Sequence, residues 1–224
     1  MTTTDIIRDI RKRCRLAMNG VVSSGMRDKG LNYKLNFGVS LNKIKEIAAH
    51  YQPDKDLSEA LWKEDVRELK ILATLLYPST MFTENEAERW VQEIPNQEIR
   101  EQVCLNLFSK LPFAEELVFK WSASNNENIR ATGYWLLVRL FLSKIINSEF
   151  GYEKLTYIFE DIVSPENISL RNAALLALKH IGRSAQKQAD SILEHLNQFN
   201  ESDNPLEKEI LDSLKFEYDF YFDR

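Results

Sequence analysis

Asp65-Val66-Arg67 is the first of four stretches that share one pattern, a polar residue followed by an aliphatic residue and an arginine. The other three are Glu98-Ile99-Arg100, Asn128-Ile129-Arg130 and Ser169-Leu170-Arg171. Each opens an apolar run with helical spacing, and successive arginines lie 33, 30 and 41 residues apart. A recurrence at roughly 30–45 residues is typical of stacked helix pairs. The sequence therefore predicts an all-α, HEAT/armadillo-like αα superhelix (solenoid) whose concave wall would bind an elongated partner.

The composition of the chain is that of a globular helical protein. Hydrophobic residues make up 44% of its 224 residues and charged residues 28%, with only 7 glycines and 6 prolines. We expect one HEAT-like domain over residues 1–224, in which residues 186–224 form capping helices. Every apolar run is shorter than 18 residues, so we predict no membrane-spanning helix.

Cysteine and histidine usage argues against disulfides and metal sites. Cys14 and Cys104 lie far apart, each on an apolar helical face, which indicates buried thiols in a reducing cytoplasm. His50, His180 and His195 are scattered without the spacing of metal ligands, and the first residues lack the apolar segment of a signal peptide. We therefore expect a cytoplasmic, monomeric protein with no metal and no cofactor.

Charge is distributed unevenly along the chain. Residues 1–51 carry 10 Lys/Arg against 4 Asp/Glu, whereas residues 52–224 carry 19 against 30. Four cations share one face of the first helix: Arg8, Arg11, Lys12 and Arg15. This face is either simply solvated or contacts phosphates. A basic end on an acidic body is a weak indication of a polyanionic partner.

Capping residues and prolines divide the chain into helices. Thr4 is expected to cap a first helix that runs to Asn19-Gly20, and Thr83 with Glu86 forms a capping box. Ser40 and Asn96 are further caps. The predicted helices cover approximately residues 4–19, 23–29, 40–51, 55–64, 66–77, 83–94, 96–111, 113–124, 127–144, 150–163, 168–182, 185–199 and 206–221.

Aromatic residues are concentrated in the core and in the last helix. The four tryptophans, Trp62, Trp90, Trp121 and Trp135, have apolar neighbours and are interpreted as core residues. The tail carries Phe216, Tyr218, Phe220, Tyr221 and Phe222. These rings either cover the last repeat, contact a partner or stack on bases.

Several segments resemble one family. They are Tyr33-Lys34-Leu35-Asn36-Phe37-Gly38-Val39, Leu61-Trp62 with Arg67-Glu68 and Leu72-Ala73, Gln102-Val103-Cys104-Leu105-Asn106-Leu107-Phe108, and Ala177-Leu178-Lys179-His180-Ile181-Gly182-Arg183. Over about residues 5–185 the chain resembles the DNA alkylation repair family, the AlkD-like DNA glycosylases. The resemblance implies a superhelix that holds duplex DNA and hydrolyses the N-glycosidic bond of cationic N3- or N7-alkylpurines without a metal.

The resemblance also implies a site, which this chain matches only in part. Family members carry a Trp and, four residues later, an Asp, where this chain has Gln97 and Glu101. Arg130 matches the family's Arg, and Leu176 stands where a second Trp is expected. The resemblance therefore implies Glu101, Arg130 and Gln97 as candidate catalytic residues, with both aromatic side chains replaced.

A fixed carboxylate beside the sugar could stabilise an oxocarbenium-like transition state and activate a water. Glu101 offers that carboxylate, Gln97 lies one helical turn earlier on the same face, and Arg130 could clamp a phosphate. The alternative for Arg130 is an ion pair with a neighbouring repeat, and for Glu101 an ordinary salt bridge. Gln97 is otherwise a plain surface residue of a first helical turn.

Three functions remain open on the sequence alone. The first is a DNA-binding protein, if active an alkylpurine DNA glycosylase, whose partner is duplex DNA with or without alkylated bases. Its candidate DNA contacts are Arg8, Arg11, Lys12, Arg15, Lys43, Lys45, Lys70 and Arg171. The second is the same scaffold binding nucleic acid without catalysis. The third is a protein-interaction solenoid, which the acidic residues 52–224 favour.

Overall fold

The computed structural model describes residues 2–223, which contain 13 α-helices and no named β-strand. The prediction of an all-α fold is confirmed. Contacts divide the chain between Leu111 and Pro112 into two compact units. No helix within residues 2–223 combines the length and the hydropathy that crossing a bilayer requires.

The unit before Pro112 holds seven α-helices. They are α1 Thr3–Leu16, α2 Gly20–Asp28, α3 Leu41–Ala48, α4 Lys55–Trp62, α5 Arg67–Leu76, α6 Glu84–Gln92 and α7 Gln97–Asn106. Helix α5 is central, because it packs on α3, α4 and α7. It buries eight of its ten residues, among them Arg67 and Glu68.

The unit from Pro112 onward holds six α-helices. They are α8 Ala114–Ser122, α9 Glu127–Leu142, α10 Ile158–Asp161, α11 Ile168–Ser184, α12 Gln186–His195 and α13 Pro205–Tyr221. Helix α9 packs on α8 and α11, and α11 in turn contacts α10, α12 and α13. Gly182 of α11 lies directly under the ring of Tyr218 of α13, which leaves no room for a Cβ atom.

Three of the four predicted caps inside the first unit are confirmed. Ser40 accepts a hydrogen bond from the Lys43 amide, and Asn96 accepts one from the Ile99 amide. Thr83 and Glu86 form the reciprocal capping box of α6. These ends were predictable because each depends on residues only three positions apart.

Two predicted helices differ clearly from the observed ones. Helix α1 is capped by Thr2, not Thr4, and ends at Leu16, because Asn19 turns its side chain to the Val22 amide and caps α2 instead. The predicted helix over 150–163 is reduced to Ile158–Asp161, preceded by the 3₁₀ turn Tyr152–Lys154. Phe150 and Leu155 are both buried. Five residues apart, they would point about 140° from each other on a continuous helix.

An extended segment before α3 is anchored by a buried carboxylate. Glu68 accepts hydrogen bonds from the Phe37 and Val39 amides at 3.1 and 3.2 Å and from Arg67 at 3.0 Å. Between these amides, Gly38 adopts φ +68° against the Asn19 carbonyl, a position that only glycine fits. One carboxylate thus joins the loop that precedes α3 to the first turn of α5.

The core contains the predicted aromatic and thiol residues. Trp62, Trp90 and Trp121 are buried, and Trp135 is half-buried. Trp62 and Trp90 stack at a centroid distance of 4.0 Å and an interplanar angle of 4°. Cys14 and Cys104 are both buried thiols outside any disulfide, as predicted, and burial raises the pKa of Cys14 to about 12.

Candidate nucleic-acid interface

Two of the four repeat arginines form buried ion pairs with a carboxylate 31 residues later. Arg67 holds Glu98 through Nε and Nη2 at 2.8 and 2.6 Å. Arg130 holds Asp161 in the same way at 2.8 and 2.7 Å. This is the arrangement expected if the arginines join successive repeats. Neither Glu98 nor Asp161 was predicted as an ion-pair partner, because several acidic residues lie at a similar distance along the chain.

Arg130 donates a hydrogen bond from each of its three guanidinium nitrogens. Its Nη1 donates to the Ser124 carbonyl at 3.0 Å, and its plane lies 4.9 Å over the Tyr157 ring. Asp161 also accepts a hydrogen bond from Tyr134 at 2.7 Å. The hydrogen bonds to Asp161 raise the pKa of Arg130 above its usual value. Arg130 is therefore tied into its unit, and a phosphate that binds its Nε–Nη2 edge would have to displace Asp161.

Gln97 and Glu101 are brought together on the first turns of α7. The Gln97 Nε2 donates to Glu101 Oε1 at 2.9 Å, and the Gln97 Oε1 accepts from Arg100 Nη1. Gln97 and Glu101 are half-buried and Arg100 is buried, and this burial lowers the pKa of Arg100. The amide of Gln97 thus links a buried cation to a carboxylate that solvent can reach.

The predicted second tryptophan position offers no polar group. Leu176 lies half-buried on α11. Arg171, on the first turn of the same helix, donates to the Ser164 carbonyl at 3.1 Å and is half-buried. It therefore closes the preceding loop rather than extending into solvent.

The cations of α1 fall into two groups. Arg8, Lys12 and Arg15 are exposed at positions i, i+4 and i+7, on the side of the helix opposite the buried Ile10 and Cys14. We call these three cations the α1 stripe. Arg8 has a loose exposed pair with Asp5 at 3.4 Å, and within residues 2–223 Lys12 and Arg15 form no ion pair. The stripe is about 10 Å long at 1.5 Å per residue.

The other cations predicted to contact DNA differ in their exposure and in their hydrogen-bond partners. Arg11 is held by Glu64 at 2.8 Å, and Lys43 is exposed with Glu46 beside it at 2.6 Å. Lys45 is exposed on α3. The Lys70 ammonium donates to the Trp62 carbonyl at 2.7 Å, and burial lowers its pKa. Lys70 thus satisfies the last turn of α4 and does not point freely to solvent.

A family model described as DNA alkylation repair enzyme matches residues 23–198. The chain belongs to this family. A solved structure is similar over 88% of this chain and 83% of its own, with 17% sequence identity and a TM-score of 0.70. It is described as belonging to "a new family of proteins related to the HEAT-like repeat DNA glycosylases with affinity for branched DNA structures". No curated protein matches the chain.

The structural likeness confirms the HEAT-like repeat fold, and the match over residues 23–198 confirms the resemblance to the DNA alkylation repair family. Within this family member, the two units offer different chemistry. The unit before Pro112 contains the Gln97–Glu101 pair and the exposed α1 stripe, whereas the unit after it holds Arg130 in an internal ion pair. The exposed cations are thus concentrated in the first unit.

Proposed function

We propose that this member of the DNA alkylation repair family binds DNA through the α1 stripe, with Lys43 and Lys45 of α3 beside it, and that it recognises DNA structure without excising a base. The observation that carries the proposal is the exposure of Arg8, Lys12 and Arg15 as one row on the solvent side of α1. Such a row can contact successive phosphates of one strand without reading bases.

The state of Arg130 supports binding in preference to catalysis. A two-point phosphate clamp uses two parallel N–H groups on one edge of a guanidinium, in contact with solvent. The Nε–Nη2 edge of Arg130 is taken by Asp161, its Nη1 donates to Ser124, and its side chain is only 11% exposed. Breaking a buried ion pair leaves an uncompensated charge and is costly. The cations available for phosphate are therefore exposed ones, among them those of α1 and α3.

The solved relative has affinity for branched DNA, and we propose the same class of target for this chain. Phosphate contacts carry no sequence information, so a binder of this kind distinguishes targets by the path of the backbone. A four-way junction places two backbones close together and would meet the α1 stripe with more phosphates than a straight duplex of equal length.

The test is fluorescence anisotropy with a four-way junction and a duplex of equal length over a series of salt concentrations. A plot of the logarithm of the association constant against the logarithm of the salt concentration should have a slope of about −3 to −5, because each neutralised phosphate contributes about −0.9. The double variant Lys12→Ala, Arg15→Ala should bind both targets more weakly and reduce that slope by about 2.

Lys187 and Lys208 are exposed lysines of the second unit and provide the matched control. The double variant Lys187→Ala, Lys208→Ala removes the same charge and should keep the wild-type slope. A slope near zero for the wild type, or equal losses from the two double variants, would reject the α1 stripe as the DNA contact.

A second candidate function, excision of a cationic alkylpurine, is favoured by one observation. The hydrogen bond from Gln97 holds one oxygen of Glu101 at 2.9 Å in a half-buried position. A carboxylate held in this way can stabilise a developing positive charge on a sugar and polarise a water. In this reading Glu101 is the acid–base residue and Gln97 positions it.

A further inference from the structure

The last helix exposes large aromatic rings that its own unit does not use. Phe216 and Phe220 of α13 are 74% and 76% exposed, and their rings lie 6.4 Å apart at an interplanar angle of 16°. Tyr218, on the opposite side of the helix, is buried and donates to the Leu178 carbonyl at 2.8 Å. The expectation that the aromatic tail covers the last repeat thus holds for Tyr218 and not for the two phenylalanines.

Acidic residues alternate with these rings along the helix. We define the α13 face by five exposed residues: Glu209, Asp212, Phe216, Asp219 and Phe220. Lys208 and Lys215 lie one turn before Asp212 and Asp219, and Lys215 donates to Asn200. Carboxylates would repel the phosphates of a nucleic acid, whereas carboxylates and aromatic faces together attract lysine and arginine. The α13 face is therefore suited to a cationic partner.

The same chain carries a surface of complementary charge and spacing. Along α13, positions 209, 212, 216 and 219 alternate steps of three and four residues, as do positions 8, 12 and 15 of the α1 stripe. Rows with this spacing run along one side of a helix, so two helices can meet along them. Next to the stripe, Leu16, Met18 and Val21 are 80%, 57% and 85% exposed.

We propose that the protein self-associates head to tail, with the α1 stripe of one copy against the α13 face of the next. Arg8 and Arg15, seven residues apart, would meet Asp212 and Asp219, which share that spacing, with Lys12 between them, and Phe216 with Phe220 would cover the apolar residues beside the stripe. A contact between two different surfaces leaves one free surface at each end and propagates into chains unless it closes into a ring.

The association uses the α1 stripe that the proposed DNA contact also uses, so DNA would compete with it. Self-association is therefore tested first without nucleic acid, because the result then does not depend on whether the protein binds DNA. Sedimentation velocity of the full chain at low salt should show a weight-average mass that rises with protein concentration. The mass should fall back to that of one chain at high salt.

Charge reversal on each side provides the decisive experiment. The variant Lys12→Glu, Arg15→Glu makes both surfaces acidic, and the variant Asp212→Lys, Asp219→Lys makes both basic. Each variant alone should stay monomeric, with association weakened by at least about tenfold. An equimolar mixture of the two should associate again, because each surface then meets one of opposite charge.

The matched control is Glu201→Lys, Asp203→Lys, which reverses two exposed acids of the same unit outside the α13 face. It should associate as the wild type does. A wild type that stays monomeric at all concentrations overturns the proposal. If that monomer nevertheless binds oligolysine, the α13 face serves a different basic partner. A mixture of the two reversed variants that stays monomeric, with both variants folded by circular dichroism, also overturns it.

Discussion

Arg130 and Asp161 form a two-point ion pair inside the second unit, with N–O distances of 2.8 and 2.7 Å. Their side chains are 11% and 4% exposed. The pair joins the first turn of α9 to α10 and also receives the hydroxyl of Tyr134. The arginine that the family resemblance marks as a site residue therefore contributes to the core of the unit.

Substituting Asp161 should destabilise the protein strongly. Asp161→Ala leaves Arg130 buried without its partner, which costs about 3–5 kcal/mol in the free energy of unfolding. Urea unfolding at neutral pH measures this directly. Asp219→Ala, on the exposed side of α13, should change the same free energy by less than about 0.5 kcal/mol. Similar values for the two variants would show that Arg130 does not depend on Asp161.

The stability of the first unit should depend on the ionisation of Glu86. Burial alone would raise the pKa of Glu86, but hydrogen bonds from Lys55 and from the Thr83 amide outweigh it and lower the pKa to about 2. A pKa below its unfolded value means that the carboxylate stabilises the fold above pH 4.5, and that this contribution is lost as the pH falls towards 2.

Comparison with Glu86→Gln measures this contribution. The wild type should be more stable by about 1–2 kcal/mol near neutral pH, after solvent screening of a pair close to the surface is allowed for. The difference between wild type and variant should shrink as the pH is lowered from 4.5 to 2. Unfolding curves that stay equally far apart over this range would contradict the low pKa.

Gly182→Ala should loosen α13. A Cβ atom at position 182 would overlap the Tyr218 ring, which is fully buried. Relief of this overlap requires α13 to shift, at a cost of about 1–3 kcal/mol in the free energy of unfolding. Hydrogen exchange of the α13 amides should accelerate in the variant. Gly25→Ala is the control, because its Cβ would meet open space, and it should stabilise α2 by about 0.5–1 kcal/mol.

Base release from alkylated duplex DNA separates the two candidate functions. If excision occurs, Glu101→Ala should abolish release of 7-methylguanine or 3-methyladenine, because the carboxylate is lost. Gln97→Leu should lower release by up to about 100-fold, since a misplacement of about 1 Å has this effect. Glu115→Ala, on the first turn of α8, is the control and should release bases at the wild-type rate. Release by Glu101→Ala at the wild-type rate would reject Glu101 as the catalytic carboxylate. If the wild type releases no base, DNA binding without excision remains as the function.

Much of the fold could be predicted because it depends on local patterns. The caps at Ser40, Thr83 and Asn96 depend on neighbours three residues away, and the arginine repeat gave the helix-pair architecture. The end of α1 was missed because Asn19 can serve either as a stop for one helix or as a cap for the next. Only packing of the surrounding chain selects the second role.

The candidate site was less accessible from the sequence. Glu160, Asp161 and Glu166 all lie near the right distance from Arg130, and only the folded backbone selects Asp161. The hydrogen bond from Gln97 to Glu101 follows from their spacing of four residues on one helix. The exposure of Phe216 and Phe220 was not predictable, because an aromatic pair on a last helix equally suits a cap that faces inward.

The stacked indoles of Trp62 and Trp90 give the first unit its own optical signal. At a centroid distance of 4.0 Å and nearly parallel, the two chromophores are close enough to couple electronically, and we expect a paired band in the ultraviolet circular dichroism spectrum. The remaining tryptophans, Trp121 and Trp135, belong to the unit after Pro112. Loss of the paired band during denaturation would therefore report the unfolding of the unit before Pro112 alone, whereas tryptophan fluorescence reports both units.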